Sequence, residues 1–455
     1  MKYSLDYCRR INASLIHAGL DHVIREMTLA GGATAQVTLA GYSTPWCHDG
    51  RVPTRARVSP PLQWGILAQL SAPAATQLMV RIGDESFAYD VEVLPLCVWD
   101  MRREFAAATA AFVMENSPTV TRIVRSAGCA PSVDGIEPDP GGVAARLYEA
   151  FQGMFGLLYL FERGGYKPHE QIVRFPAQIL HDGGGARDAA GTCIDLALLY
   201  AAALRAAGVS SIICILGDEF GGRHSLVGFW AEAPDDADVL LSGERIQAAV
   251  RAGRLVLVEP NWLTRSTATW SDAVDVARRT CDANVPLWGI DIDAARDADP
   301  AITAMSVTVR SSDGEELVLS DLPIRYADEA TTLRAEAAAD LLDRHCLKAV
   351  GSRNDVDRGR TWPLKGSRII LGRRSRSNGI VLHDAKVSRD HAAVMAAGTT
   401  IYVSDLGSAH GTFLHGKRLS PYQPEEIHDG DDVTLGGDDI VLRLIPRQAP
   451  IGGEA

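Results

Sequence analysis

Apolar and polar positions alternate in short runs from the N-terminus to about residue 97, as in AQVTLAGY, QLMVRIG and FAYDVEVLPLCVW, with Gly, Pro and Asp between them. Period-two alternation broken by turn formers predicts an antiparallel β-sandwich over residues 1–97. The spacing turns helical at 101–128. REFAAATAAFVMEN carries a helical pattern, and SPTVTRIVRSAG opens on Ser-Pro and stops at Gly, as a capped helix does. APSVDGIEPDPGG reads as a loop and VAARLYEAFQGMFGLLYLFERGG as the next helix.

Between about 166 and 300 the pattern is mixed. A loop, HDGGGARDAAG, leads into a long helix from Cys193 to Ala207. The β-runs SSIICILGD and SLVGFWAE follow, then the helix GERIQAAVRAGR, the strand LVLVEP and the helix SDAVDVARRTCDAN. The strand-like SVTVRS and the stretch LRAEAAADLLDRHCLKAV bridge toward the C-terminus, and the polar GSRNDVDRGR is the best linker candidate. These patterns divide the chain into a β-sandwich (1–97), a helical segment with an α+β domain (98–325), a helix and linker (326–360) and an all-β domain (361–448). No fixed-period repeat is present.

The bulk properties narrow the function classes. A length of 455 residues exceeds one ordinary core and suggests about three domains. No apolar run reaches the ~18 residues of a membrane span, and the N-terminal MKYSLDYCRRINASL lacks the apolar segment of a secretory signal, so a soluble cytoplasmic protein is expected. A net charge of −12 argues against non-specific nucleic-acid binding. Eight cysteines are scattered without a CxxC pair, and His169 and His181 lack metal-ligand spacing, so neither a metal nor a cofactor is expected. HDGGGARD is not a phosphate-binding P-loop, because it lacks the Gly-Lys-Ser/Thr ending. Trp99 and Trp230 read as core or interdomain aromatics.

One cysteine stands apart. Cys193 follows a Gly-rich loop and opens a helix whose apolar positions include Leu196, Leu199, Tyr200 and Leu204. Backbone N–H groups at a helix start favour a thiolate over a thiol. His224 comes 31 residues later, just after Gly221-Gly222, and Glu259 ends a strand further on. The order thiol, imidazole, carboxylate suits nucleophile, base and orienter. GTCIDLALL, the later His and the strand ending in acid-Pro resemble the transglutaminase-like, papain-like cysteine fold. That resemblance implies Cys193 as nucleophile, His224 as general base and acid, and Glu259 as the residue orienting the imidazole. Many members have Asp at the third position, so Glu259 is a departure. Asp195 is expected to cap the helix, and the backbone N–H of Cys193 to meet an oxyanion, with Gln178 a weak candidate for a side-chain partner.

The last hundred residues carry a string of short motifs, ILGRRSRSN, KVSRDHAAV, YVSDLGSAHGTFLHGKRL and IHDGDDVTLGG, each in a loop between β-patterned runs. Arg373, Ser388 and Arg389 fall where one phosphate could be gripped by guanidinium and hydroxyl donors. The segment resembles a forkhead-associated (FHA) domain, a β-sandwich that recognises phosphothreonine. The resemblance implies phosphopeptide contacts from Arg373, Ser388, Arg389, Ser408 and His410, and a bracing role inside the loop for His391. Two positions depart from the family, which usually has Asn where this chain has His410 and His415. The whole chain is therefore expected to be a cysteine peptidase, deamidase or acyl transferase of transglutaminase-like fold, recruited or regulated through its FHA domain. Its expected partners are a protein or peptide substrate and a phosphothreonine-containing protein, such as a Ser/Thr kinase or its substrate. The alternative is an inactive adaptor that docks phosphorylated partners.

Overall fold

The computed structural model describes residues 4–29, 32–51, 54–131, 139–155, 157–159, 169–180, 189–217, 223–234, 238–264, 268–283, 285–305, 308–310, 316–318, 341–364, 368–373, 379–397, 400–419, 424–437 and 440–447. The chain divides into two compact units, one of residues 1–217 and 225–325, the other of residues 218–224 and 326–455.

The N-terminal unit begins with strands β1 (Ser4–Tyr7), β2 (Arg10–Asn12), β3 (Ile24–Leu29), β4 (Ala35–Leu39), β5 (Trp46–His48), β6 (Thr54–Val58), β7 (Ala74–Ile82) and β8 (Glu85–Leu94). They form a three-stranded sheet, β1-β3-β6, and a five-stranded sheet, β2-β8-β7-β4-β5. Alternating side chains of both sheets, such as Met27 and Leu29 with Val37, Leu39, Leu78 and Val80, enter one core. The pairing of β2 with β8 is parallel, a departure from the all-antiparallel pattern expected. Alternation marks which side chains face inward but not the direction of a partner strand.

The stretch REFAAATAAF forms a 3-10 helix, Arg103–Phe112, and α1 (Pro118–Ser126) starts on its proline as the sequence predicts. The next helix, α2 (Pro140–Phe155), is shorter than expected, and Leu158–Tyr159 pairs in parallel with Ala190–Gly191 instead of continuing it. Helix α3 (Cys193–Ala206) is buried from Ile194 through Leu204, so it is apolar on every side. It precedes β9 (Ile212–Gly217), β10 (Arg223–Trp230), β11 (Leu240–Ser242), α4 (Gly243–Arg251), β12 (Leu255–Val258), α5 (Trp270–Ala283) and β13 (Trp288–Asp291). These strands make a five-stranded sheet in the order β11-β13-β9-β10-β12.

That sheet is covered on both faces. Ile213, Ile215, Val227 and Phe229 join the core shared with α3, while Ile212, Cys214, Leu216 and Leu226 join a second core with Ile246 and Ala277 of the helices on the far side. The uninterrupted apolar run IICIL follows from this double burial. Trp99 and Trp230 are core residues, and their indole N–H groups donate to Thr109 and Asp291.

The C-terminal unit is a β-sandwich of β14 (His345–Ser352), β15 (Thr361–Pro363), β16 (Arg368–Gly372), β17 (Gly379–Val381), β18 (Ala392–Ala397), β19 (Thr400–Asp405), β20 (Thr412–Leu414), β21 (Lys417–Arg418), β22 (Pro424–Ile427), β23 (Asp432–Leu435) and β24 (Ile440–Pro446). One sheet runs β15-β14-β24-β23-β20-β21 and the other β17-β16-β18-β19-β22. The expected helix and linker over 326–360 is corrected here for the described part. His345–Ser352 pairs along its length with Ile440–Pro446, and 353–360 is the connection between two paired strands. Asp357 within it is fully buried and accepts from the His383 backbone N–H at 2.5 Å and from its ring Nδ1 at 2.9 Å. Residues 326–340 lie outside the described residues.

Candidate functional site

Three loops at one edge of the C-terminal sandwich are held together by backbone contacts. Gly372 ends β16 against the second loop, where an added Cβ would stand 2.1 Å from the Arg389 carbonyl oxygen. No other residue permits that approach. Arg373 N–H donates to Ser388 O at 3.1 Å and His391 N–H donates to Leu371 O at 2.8 Å, so the first and second loops are stitched on both sides of the glycine.

His391 locks the second loop to the third. Its ring is fully buried. Nδ1 accepts the Ser388 N–H at 2.9 Å, which requires the proton on Nε2, and Nε2 donates to Gly411 O at 3.0 Å. Burial pushes the imidazole pKa down, against the pull of the Asp405 charge and the Gly411 hydrogen bond. The bracing role expected of His391 is the one it takes.

The third loop is built around Asp405. Its carboxylate accepts from Ser408 N–H at 3.0 Å, Ser408 Oγ at 2.6 Å and Thr412 Oγ1 at 2.7 Å, all buried. Ser408 was expected among the phosphopeptide contacts, and this is corrected. Its hydroxyl donates to Asp405 and accepts Gly411 N–H at 2.9 Å, so it faces the loop interior. Ala409 N–H donates to Ser388 Oγ at 3.0 Å, which joins this loop to the second. The Ser388 hydroxyl still has its own proton to offer a ligand.

Four of the five predicted contacts therefore lie on the outside of the loops. Arg373, Arg389 and His410 are exposed and Ser388 is half-buried. Two guanidinium groups and a hydroxyl on a rigid frame match a phosphate dianion with its three acceptor oxygens. His415 has a different job. It takes φ 52° ahead of Gly416 at φ 78° in a two-residue turn between β20 and β21. Such a turn needs positive φ at both positions, and His is among the residues that tolerate it.

In the N-terminal unit, Thr192 caps α3, and Asp195 closes a capping box with it. Asp195 is fully buried and also accepts Arg174 N–H at 2.7 Å and Arg174 Nη1 at 3.0 Å. Cys193 is therefore the first residue of a helix whose start is fixed from two directions. It is half-buried, whereas Cys8, Cys97, Cys129, Cys214, Cys281 and Cys346 are buried. Gln178 Oε1 accepts the Phe175 N–H at 2.7 Å, which folds that side chain onto its own short helix.

His224 sits near the start of β10, and Glu259 follows β12 directly. The antiparallel register Val227↔Val258 brings these two strand ends to the same end of the sheet. Both residues are buried, and Glu259 Oε1 accepts Asn261 N–H at 3.1 Å. Among the described residues no cluster of three or more His, Cys, Asp and Glu is placed to hold a metal ion.

Sequence reasoning missed three supports. Arg174 and Asp195 are 21 residues apart, and Asp357 and His383 are 26 apart. Neither spacing belongs to a local motif. Asp405 was visible only as the opening of a loop, although an Asp three residues before Ser408 is the signal of a side chain that caps its own turn.

Comparison with known proteins agrees with the C-terminal geometry. Residues 369–436 match the family model described as "FHA domain". The C-terminal β-sandwich is an FHA domain. The transcriptional regulatory protein EmbR of Mycobacterium tuberculosis is 28% identical over 195 residues, covering 41% of this chain and 45% of EmbR. A protein phosphatase 1 regulatory inhibitor subunit homologue of Arabidopsis thaliana is 43% identical over 82 residues, covering 18% of this chain and 22% of that protein. The solved structure of Mycobacterium tuberculosis EmbR in complex with a low affinity phosphopeptide is 23% identical, covers 31% of this chain and 34% of its own, and has a TM-score of 0.21. The chain thus spans less than half the length of these relatives. No described helix is long and apolar enough to cross a membrane.

Proposed function

We propose that the chain is a regulator that docks phosphothreonine-containing proteins through its FHA domain, a Ser/Thr kinase or its substrate being the partner class. One observation carries the reading. The Ser388 hydroxyl, accepting from Ala409 N–H, stands where the second and third loops meet, with exposed Arg373 and Arg389 on the flanking loop positions. Titration of the full chain with paired phosphothreonine and plain threonine peptides tests it. Binding of the phosphorylated member alone, lost in Arg373→Ala, is the expected result. The loss corresponds to roughly 2–4 kcal/mol for a charge-assisted contact. Equal binding of both members overturns the reading.

A second reading adds amide chemistry at Cys193. It is favoured by Cys193 at a capped helix start, with His224 and Glu259 at one end of a neighbouring sheet. In this proposal the Cys193 thiolate attacks an amide carbonyl and a thioester forms. His224 protonates the departing amine and Glu259 orients the imidazole. Water then releases the acid, giving a peptidase or deamidase, or a lysine amine releases an isopeptide. Intact mass measurement of Cys193 acylated by an electrophilic amide analogue tests it. Without an adduct at Cys193, docking alone remains.

A further inference from the structure

A cavity of about 320 Å³ lies beside the edge strand β12, where the starts of α2 and α5 meet the sheet. Its walls are apolar. Phe229 of β10 and Val256 of β12 are partners in the strand register, and Trp270 and Val274 come from the beginning of α5. The aromatic wall is held in place. Phe229 is buried, and the Trp270 ring stacks on it with centres 6.4 Å and planes 23° apart. Tyr148 meets the same indole edge-on at 5.8 Å, and its hydroxyl donates to Trp262 O at 3.2 Å. Trp270 is itself half-buried, so part of its ring stays open.

One charged side chain lines this cavity. Asp139 stands exposed just before α2, and its Oδ2 accepts the Gly142 N–H at 3.0 Å. It forms no ion pair among the described residues. Its Oδ1 lies toward Gly141, where an added Cβ would stand 3.7 Å away. Gly141 lines the cavity too, and having no side chain it leaves that oxygen uncovered. The start of α5 also carries its own carboxylate, since Asp272 accepts from Thr269 N–H at 3.1 Å and Thr269 Oγ1 at 2.9 Å. The positive ends of both helices are thus answered, and the cavity does not call for an anion.

Apolar walls, an indole face and one carboxylate select a group with an aliphatic stem and a cationic head. A single oxygen of Asp139 is available, which suits a compact ammonium better than the planar fork of a guanidinium. We propose that this cavity receives a lysine side chain of a protein partner, its methylenes along Phe229, Val256 and Trp270 and its ammonium against Asp139 Oδ1. None of Cys193, His224 and Glu259 lines it, so the site stands whether or not they act on an amide.

The test titrates the full chain with three capped tripeptides, Ala-Xaa-Ala, in which Xaa is lysine, arginine or norleucine, and follows binding by ligand-detected NMR. Norleucine keeps the stem and lacks the charge. The lysine peptide should bind about 5- to 10-fold more tightly than either of the others, the range of a partly desolvated cation beside an aromatic face. In D139N, which keeps an oxygen for the Gly142 N–H, the preference for lysine over norleucine falls toward one. In A231L, at an exposed position on the cavity lining, the lysine peptide weakens several-fold because the space is filled. Equal binding of the lysine and norleucine peptides assigns the cavity to an apolar side chain and overturns the proposal. So does equal binding of the arginine peptide, a preference that survives D139N, an affinity untouched by A231L, or no binding of any peptide at millimolar concentration.

Discussion

The Ser388 backbone N–H donates to Nδ1 of His391 at 2.9 Å, so the turn presenting the Ser388 hydroxyl closes around a neutral imidazole. Protonation of Nδ1 removes the acceptor and sets two donors against each other. Burial holds this histidine below its usual 6.5. Above that pH the ring is neutral whether the domain is folded or not. As pH falls below 6.5, the unfolded chain takes up the proton first, and stability declines until the lowered folded value is passed. Calorimetric melts between about pH 7.5 and 5 should show this decline for the FHA domain. His391→Gln should lower the melting temperature at the upper end and flatten the slope. An equally steep decline in the variant would assign the effect elsewhere.

Gly372→Ala forces a methyl group to within 2.1 Å of the Arg389 carbonyl oxygen. The obstruction is backbone, which cannot rotate away. The first loop must therefore lift from the second, at a cost of about 1–3 kcal/mol or more. Denaturant titration should register the loss, and phosphopeptide affinity should fall with it because Arg373 moves with the loop.

Asp195→Ala should destabilise the N-terminal unit by about 3 kcal/mol, because it removes the acceptor of the Thr192 N–H and leaves Arg174, itself only 12% exposed, facing a void. Thr192→Ala deletes the cap while keeping the ion pair, and should cost about 1 kcal/mol. Similar losses in the two variants would show that the Arg174 contact adds little.

Thiol labelling separates the cysteines. Burial and the neighbouring Asp21 push Cys8 up to about 12, and burial pushes Cys281 up to about 11, so both stay protonated near neutral pH. Cys47 is exposed and serves as the control for simple access. Under brief iodoacetamide treatment, peptide mapping should find Cys193 modified ahead of Cys47, although Cys193 is the less exposed. Slower labelling of Cys193 than of Cys47 counts against the thiol chemistry.

The FHA loops were legible because their chemistry lies in contiguous stretches, with Gly372 beside Arg373 and Ser388 beside Arg389. The apolar helix beginning at Cys193 was legible for the same reason, and its cap was visible in Thr192 and Asp195. What escaped were relationships without a local signature. The linker expected at 351–360 is polar at all but Val356, yet its Asp357 is buried by pairing with His383, and hydropathy cannot report burial achieved by hydrogen bonds. Ser408 was misassigned because a hydroxyl beside a binding loop looks the same whether it faces in or out. Its direction is decided by Asp405 beneath it.

Asp405 has a kinetic consequence. With its carboxylate engaged by Ser408 and Thr412, the third loop has its shape before any peptide arrives. Association then needs no refolding step and forfeits little motional freedom on the protein's side. Discrimination between partners accordingly falls on how long each complex survives, not on how quickly it forms.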